Sequence, residues 1–202
     1  MARFIYLTHP QVRMDPSVPV PQWGLSDEGR TRCVAVAGRL TEVGRVVSSR
    51  ERKAVETAEL LAAGRPFDTF EDLGENDRSA TGFLPQTEFE AMADLFFAKP
   101  EESAKGWERA VDVQSRVVAR LQSLISEHTA VAAETAQDAT VPQRPGHLVV
   151  CGHGAAGTLA YCYFAGLAID RRHDQMPGGG CFFDMELPHT KPSQGWRRME
   201  SL

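Results

Sequence analysis

Short apolar runs alternate with amphipathic stretches in the amino-terminal part of the chain. Residues 4–7 form an unbroken apolar run, and residues 44–48 form a second short run centred on two valines. Such runs are typical of buried strands. Apolar residues recur at helical spacing within 34–40 and again within 54–62, which predicts helices that bury one face. The order strand, helix, strand, helix favours a parallel sheet with helices on its faces.

The rest of the chain continues this alternation less regularly. We expect a third strand at 67–70, a polar loop over 73–85 and a surface excursion over 127–146, where no apolar period is visible. The other expected elements are helices at 87–97, 107–125 and 155–167, strands at 147–151 and 181–187, and a closing hairpin at 196–199. Residues 11–22 carry three prolines and are interpreted as an extended loop.

Two serines are predicted to cap helices. Ser26 is followed by two acidic residues, and Ser49 stands just before the second amphipathic pattern. Gly64 is a natural stop for that second helix. These elements together predict one domain over residues 1–202, an α/β fold with three αβα layers and a mostly parallel central sheet.

The charge, hydrophobic pattern and cysteines of the chain argue against some classes of binding partner and cell compartment. The net charge of −5 gives no electrostatic reason to expect nucleic acid or an anionic membrane as a partner. No apolar run approaches the roughly 18 residues that a membrane span needs, and the amino terminus has the pattern of a strand, not of a secretory leader. The four cysteines form no CxxC pair, and we interpret them as reduced, buried thiols of a cytosolic protein. The sequence does not indicate an oligomeric state.

The first predicted strand ends at a residue that can take part in catalysis or binding. Pro10 cannot continue a central ladder, so His9 is expected at the carboxyl end of the strand, where ligands bind in open α/β sheets. A histidine there can be a nucleophile, a general base, a metal ligand or a satisfied polar residue.

Two later joints between a strand and a helix carry complementary groups. Residues 48–53 supply hydroxyl groups, three cations and the start of a helix, and residues 151–154 place His153 between two glycines at the start of another. This inventory suits a phosphoryl group, which needs donors around it and can be attacked by a neutral imidazole. The alternative is a metal site, because His147, Cys151 and His153 share one parity along their strand.

The order of these motifs resembles the histidine phosphatase superfamily, whose phosphoglycerate mutase-like members have a first strand ending in Arg-His-Gly. The second family motif, Ser-Ser-x-x-x-Arg-Ala-x-x-Thr-Ala, is matched by SSRERKAVETA at 48–58, and the third, a strand ending in His-Gly, by VVCGHG at 149–154. The family's catalytic Glu, often after a Leu, is matched by LGE at 73–75, and PGGGCFF at 177–183 is also similar. The first motif departs from the family, since it reads Thr-His-Pro at 8–10.

The resemblance implies a phosphoglycerate mutase-like fold and a role for each matched residue. His9 is then the nucleophile, Glu75 the acid and later the base, and His153 a stabiliser of charge on the phosphoryl oxygens. Phosphate binding is assigned to Thr8, Lys53, Arg13 and Gly154. Lys53 stands where the second motif of the family has arginine, and Thr8 stands where the first motif has it. Neither residue is a conservative replacement for arginine. The residues that could compensate are Arg13, Arg50, Arg52 and Arg78.

The expected function is therefore hydrolysis of a small phosphomonoester through a phosphohistidine, in the cytoplasm and without a metal or other cofactor. The absence of a long substrate-enclosing insertion favours a phosphatase over a mutase. The alternative is a degenerate relative that binds a phosphorylated ligand or partner with little or no turnover.

Overall fold

A computed structural model describes residues 2–137 and 146–202, of which 135–137 are described as backbone only. Six strands form one mixed sheet in the order β3-β2-β4-β1-β5-β6. Their bounds are Arg3–Thr8 (β1), Val43–Ser49 (β2), Asp68–Phe70 (β3), His147–Gly152 (β4), Cys181–Glu186 (β5) and Arg197–Arg198 (β6). The pairs β1–β4, β2–β4 and β2–β3 are parallel, whereas β5 runs antiparallel to β1 and to β6. The expected mostly parallel sheet is confirmed.

The helices of the described residues are Asp27–Ala37 (α1), Arg52–Ala62 (α2), Gln86–Ala98 (α3), Ala110–Gln137 (α4) and Gly154–Ala165 (α5). The expectation of a surface excursion over 127–146 is wrong for its first part, because α4 continues to Gln137. The segment is rich in alanine and threonine and has little apolar periodicity. It still forms a helix, because it extends a helix that is already well packed. Residues 138–145 of the expected excursion lie outside the described residues.

Alternate residues of each central strand face opposite layers. Phe4 and Tyr6 belong to a core shared with α3, α4 and α5, whereas Ile5 and Leu7 belong to a core shared with α1 and α2. All four side chains are fully buried. The sheet is thus covered on both faces, and the three-layer αβα architecture is confirmed.

The register brings the carboxyl ends of the parallel strands to one edge. Thr8 pairs with Gly152, and Ser48 pairs with Cys151 on the other side of β4. Because all three strands end at the same level, the residues that follow them meet there. None of the helices in 2–137 and 146–202 has the length and apolar character needed to cross a bilayer.

One predicted helix cap is confirmed and the other is wrong. The Ser26 hydroxyl accepts a hydrogen bond from the Gly29 amide at 3.1 Å, as expected of an N-cap. Ser49 does not cap α2, whose N-cap residue is Glu51. The Ser49 hydroxyl accepts from the Glu51 amide at 3.2 Å, before the helix begins, and also contacts Nε2 of His153 across the sheet edge at 2.6 Å.

Candidate active site

His9 follows β1 directly, and its backbone is held on both sides. Its amide donates to the Gly152 carbonyl at 3.0 Å, and its own carbonyl accepts from the Gly180 amide at 3.0 Å. The preceding Gly179 has a φ of 64°, and a Cβ at that position would lie 2.5 Å from the His9 carbonyl oxygen. The glycine turn of residues 178–180 is therefore shaped around His9.

The ring of His9 is oriented by the residue after it. Nδ1 lies 2.9 Å from the Pro10 carbonyl oxygen, and since a carbonyl can only accept, Nδ1 carries the proton. Nε2 then keeps a lone pair. Burial, followed by the nearby charge of Lys53, lowers the pKa of His9 to about 4, so the ring is neutral at pH 7. A neutral imidazole with a free Nε2 is chemically able to act as a nucleophile.

His153 lies next to His9, with the two ring centroids 5.4 Å apart. It is fully buried, and its amide is fixed by the Tyr6 hydroxyl at 3.1 Å. Nε2 is 2.6 Å from the Ser49 hydroxyl, whereas Nδ1 has no hydrogen-bond partner among the described residues. A buried ring nitrogen without a partner indicates a group that a ligand can satisfy. Burial lowers the pKa of His153 to about 4, against the opposing effect of Glu51.

Glu75 reaches the same edge from the loop after β3. Its carboxylate accepts hydrogen bonds from the Ala155 amide at 3.2 Å and the Ala156 amide at 2.8 Å, at the start of α5. This is a correction to the expectation that the N-terminus of α5 is free for a ligand anion, because a carboxylate of the chain already uses these donors. The guanidinium of Arg116 donates to the carbonyls of Gly74 and Glu75 at 2.9 Å each and so braces the loop.

Glu51 is a member of this cluster that the sequence did not reveal. One carboxylate oxygen accepts from the Glu75 amide at 2.7 Å and lies 3.5 Å from Nε2 of His153, while the other accepts from the Lys53 ammonium. Burial opposes its ionisation, but His153, Lys53 and the Glu75 amide together lower the pKa of Glu51 to about 2. Within the second motif the three neighbouring cations are conspicuous, and nothing in the sequence distinguishes Glu51 from a solvated carboxylate.

Lys53 is brought into the site but is not free. Its side chain is 4% exposed, and its ammonium donates to Glu51 and to the Val20 carbonyl, the latter at 3.2 Å. Its charge contributes to the lowered pKa of His9. Lys53 is therefore a site cation that is neutralised by a neighbouring carboxylate.

Thr8 and Gly154 lie at the same edge, with Gln175 between them. The Thr8 hydroxyl is 2.5 Å from Oε1 of Gln175 and also accepts from the Cys181 amide at 3.0 Å. A Cβ on Gly154 would lie 2.6 Å from Nε2 of Gln175. No motif in the sequence pointed to Gln175, which stands far along the chain in an irregular segment.

The four arginines that could compensate for the missing motif arginines are placed differently. Arg13, Arg50 and Arg52 line a cleft of about 1010 Å³ whose lining does not include His9. Arg50 is paired with Glu71 at 3.1 Å and Arg52 with Glu56 at 2.8 Å. The guanidinium of Arg78 lies against the rings of Phe89 and Trp107, 5.1 and 5.6 Å from their centroids, and its charge lowers the pKa of His9. The structure does not bring Arg13 to the histidines.

The alternative of a metal site at His147, Cys151 and His153 is not supported. His147 opens β4 and accepts from the Arg3 amide at 3.2 Å, whereas His153 follows the other end of the strand, roughly 20 Å away at about 3.3 Å per residue. Across the parts of the chain that the structure describes, no group of three or more His, Cys, Asp or Glu side chains could hold a metal ion.

Comparisons with known proteins bear on the family and the fold. The family model of the histidine phosphatase superfamily (branch 1) matches residues 17–181, a range that begins after His9. No curated protein matches the chain.

Solved structures share the fold at low sequence identity. Bacillus stearothermophilus YhfR is 19% identical with a TM-score of 0.72, covering 95% of this chain and 94% of its own. Mycobacterial glucosyl-3-phosphoglycerate phosphatase with inorganic phosphate is 23% identical with a TM-score of 0.70, covering 99% of each chain. A mutant phosphoserine phosphatase from Entamoeba histolytica with phosphoserine is 14% identical with a TM-score of 0.72, covering all of both chains.

Proposed function

The chain belongs to branch 1 of the histidine phosphatase superfamily, and we propose on this basis that it hydrolyses a small phosphomonoester through a phosphohistidine at His9. The family match and the phosphatases among the similar structures support a phosphatase-type function. The proposal of a phosphohistidine at His9 depends on one observation. Nε2 of the His9 ring keeps a free lone pair, and the ring centroid lies 5.4 Å from that of His153. His153 is a second neutral imidazole, and its Nδ1 has no partner in the described part of the chain.

In the first step, Nε2 of His9 attacks phosphorus, and the bond between phosphorus and the leaving oxygen breaks. Glu75 enters this step protonated and gives its proton to the leaving oxygen, which departs as an alcohol. The carboxylate left on Glu75 is the form that accepts the two amide hydrogen bonds from the start of α5.

In the second step, Glu75 takes a proton from a water molecule that attacks the phosphohistidine. The bond between nitrogen and phosphorus breaks, inorganic phosphate leaves, and His9 returns to the neutral ring bonded to Pro10. Glu75 is protonated again and ready for the next substrate.

The phosphoryl oxygens gather negative charge in both steps. In the proposal His153 and Lys53 stabilise this charge, and Thr8 and Gly154 bind the phosphoryl group at the same sheet edge. Arg13 is assigned to the more distant part of the substrate, since it lines the outer cleft.

The proposed ligand is a small phosphorylated molecule in a reducing compartment such as the cytoplasm. Two of the similar structures hold inorganic phosphate and phosphoserine. The four cysteines are free and buried, which suits a reducing environment.

A second candidate function, binding of a phosphorylated ligand without turnover, is favoured by a specific observation. The Lys53 ammonium, whose charge acts on His9, is already paired with Glu51. Such a site stabilises the charge that develops on the phosphoryl oxygens less than a site with two free arginines does, and this slows turnover.

One experiment separates the two candidates. The purified protein is assayed against a panel of phosphomonoesters with and without a chelator, and ³²P transfer to the protein is followed with His9→Ala as the control. We expect turnover that resists the chelator and a label that is lost in the variant. Binding of phosphoesters without turnover or label would favour the second candidate.

A further inference from the structure

Glu51 lies between the groups to which catalysis is assigned. Its two oxygens reach Nε2 of His153 at 3.5 Å, the Glu75 amide at 2.7 Å and the Lys53 ammonium, and its side chain is 15% exposed. A carboxylate this close to both histidine and lysine is unfavourable for an incoming anion. Its place in a candidate phosphoryl site therefore needs a reason.

The charges around Glu51 leave the pocket short of the two positive charges that balance a phosphoryl dianion. Lys53 on α2 is the cation in contact with Glu51 and is balanced by it. Glu75 from the loop after β3, which enters the proposed reaction protonated, adds no positive charge. His9 after β1 and His153 after β4 are neutral at pH 7, because burial lowers the pKa of each to about 4.

Among the groups further out, Arg78 adds a charge. The buried Tyr6 on β1, bonded to His153, has a raised pKa and is uncharged. Arg116 on α4 is paired with Glu108, whereas Arg78, whose guanidinium lies against aromatic rings, keeps one positive charge near His9. A phosphoryl dianion entering such a pocket still lacks one further positive charge.

The hydrogen bonds of His153 show where that charge can be placed. Nε2 faces the Ser49 hydroxyl at 2.6 Å and the Glu51 carboxylate at 3.5 Å, so a proton there has two acceptors. Nδ1 is buried without a partner in the described residues, so a proton there is held only if a ligand oxygen accepts it. An imidazolium at this position therefore becomes fully hydrogen-bonded when an anion is bound.

We propose that Glu51 couples anion binding to proton uptake: one proton from solvent is taken up on His153 together with the phosphoryl group, with Glu51 as the counter-ion of the resulting imidazolium. This rests on the proposed function only in that the pocket of His9 and His153 binds a phosphoryl group. Glu51 is then a positioning residue that sets the charge state in which the site is occupied.

Sulfate is the appropriate probe, because it is a tetrahedral dianion that does not itself titrate near neutral pH. Calorimetry in buffers of different ionisation enthalpy measures the protons taken up per sulfate. We expect about one for the wild type, with affinity rising about tenfold per unit fall in pH above neutrality by linkage. For Glu51→Gln we expect no proton uptake and a nearly flat pH dependence, with binding about tenfold tighter at pH 8 because Lys53 is released.

Glu56→Gln is the matched control. Glu56 is another buried, ion-paired carboxylate of α2, but its partners are Arg30, Arg52 and the Leu25 amide instead of the histidines. This variant is expected to take up one proton, as the wild type does.

A second measurement needs no variant. The NMR signal of the His153 ring in the wild type should report protonation near neutral pH only when sulfate is present. Absence of sulfate binding, sulfate binding without proton uptake, or equal uptake in Glu51→Gln would overturn the inference. Proton uptake in a protein that hydrolyses no phosphoester would instead refute the proposed function and leave this inference standing.

Discussion

At the residue scale, the unusual first motif keeps what a nucleophilic histidine needs. The Pro10 carbonyl fixes the proton on Nδ1 of His9, and a proline supplies that carbonyl as well as a glycine does. Thr8, in contrast, does not replace the missing arginine. Its hydroxyl is bonded to Cys181 and so joins β1 to β5.

Glu75→Gln tests the proton donor. An alkoxide leaves badly without a proton, and general acid help is worth about 10² to 10⁴ in rate. We expect kcat for an alkyl phosphate to fall by roughly that factor and kcat for an activated aryl phosphate to fall far less. The measurement is steady-state kinetics on both substrates.

Asp77→Asn is the control, since Asp77 lies in the same loop but is bonded to Ser79. Its two rates should change together and little. An equal loss on both substrates in Glu75→Gln would remove Glu75 from the mechanism.

The sequence indicated some of these residues and not others, for physical reasons. His9, Glu75 and His153 could be selected because each stands at a fixed point after a strand in a known order of motifs. Arg50, Arg52 and Lys53 are three cations within four residues of sequence, and only the structure shows that Lys53 is buried while the other two line the outer cleft. The role of Glu51 depends on contacts with residues far along the chain and could not be predicted.

At the element scale, long periodic segments were predicted correctly and their ends were less reliable. The three-layer arrangement followed from the alternation of runs and amphipathic stretches, but the start of α2 and the end of α4 did not. A helix end is decided by a few hydrogen bonds. Ser49 bonds the Glu51 amide and contacts the distant His153, while α2 begins only at Arg52. The antiparallel direction of β5 likewise has no local signal.

The glycine turn before β5 provides an element-scale test. In Gly179→Ala the new Cβ would meet the His9 carbonyl oxygen, which is backbone and cannot move aside without shifting His9. We expect a loss of about 1–3 kcal/mol in the free energy of unfolding from strain, and at least about a tenfold loss in kcat/KM because the nucleophile is displaced. Urea unfolding and kinetics measure the two effects.

Gly64→Ala separates strain from displacement. Gly64 also has a positive φ, of 85°, but nothing lies within 4 Å of the added Cβ. This variant should lose stability and keep its activity. An active Gly179→Ala protein would show that the turn does not hold His9.

At the scale of the whole molecule, burial of neutral histidines links stability to pH. The pKa of His153 is about 4 in the folded protein against an ordinary 6.5, so the unfolded chain binds more protons between these values. Stability therefore falls as pH drops through this window, by on the order of 3 kcal/mol for a shift of this size.

We expect His153→Gln to reduce the fall in unfolding free energy between about pH 7 and pH 4 by on the order of that amount. Urea unfolding at a series of pH values measures it. His189→Gln, which changes an exposed histidine, should leave the pH dependence as it is in the wild type. Identical curves for all three proteins would mean that His153 is not buried as a neutral ring.

The place of β1 in the sheet also bears on how the protein is made. His9 follows β1, yet both neighbours of that strand, β4 and β5, come from residues 147–186. During synthesis β1 leaves the ribosome as an unpaired apolar segment and must wait until both partners have emerged. Such long-range pairing is slow, and exposed strand edges invite aggregation. The strand that precedes His9 is thus enclosed only after residues 147–186 have emerged, and His9 acquires its surroundings late in folding.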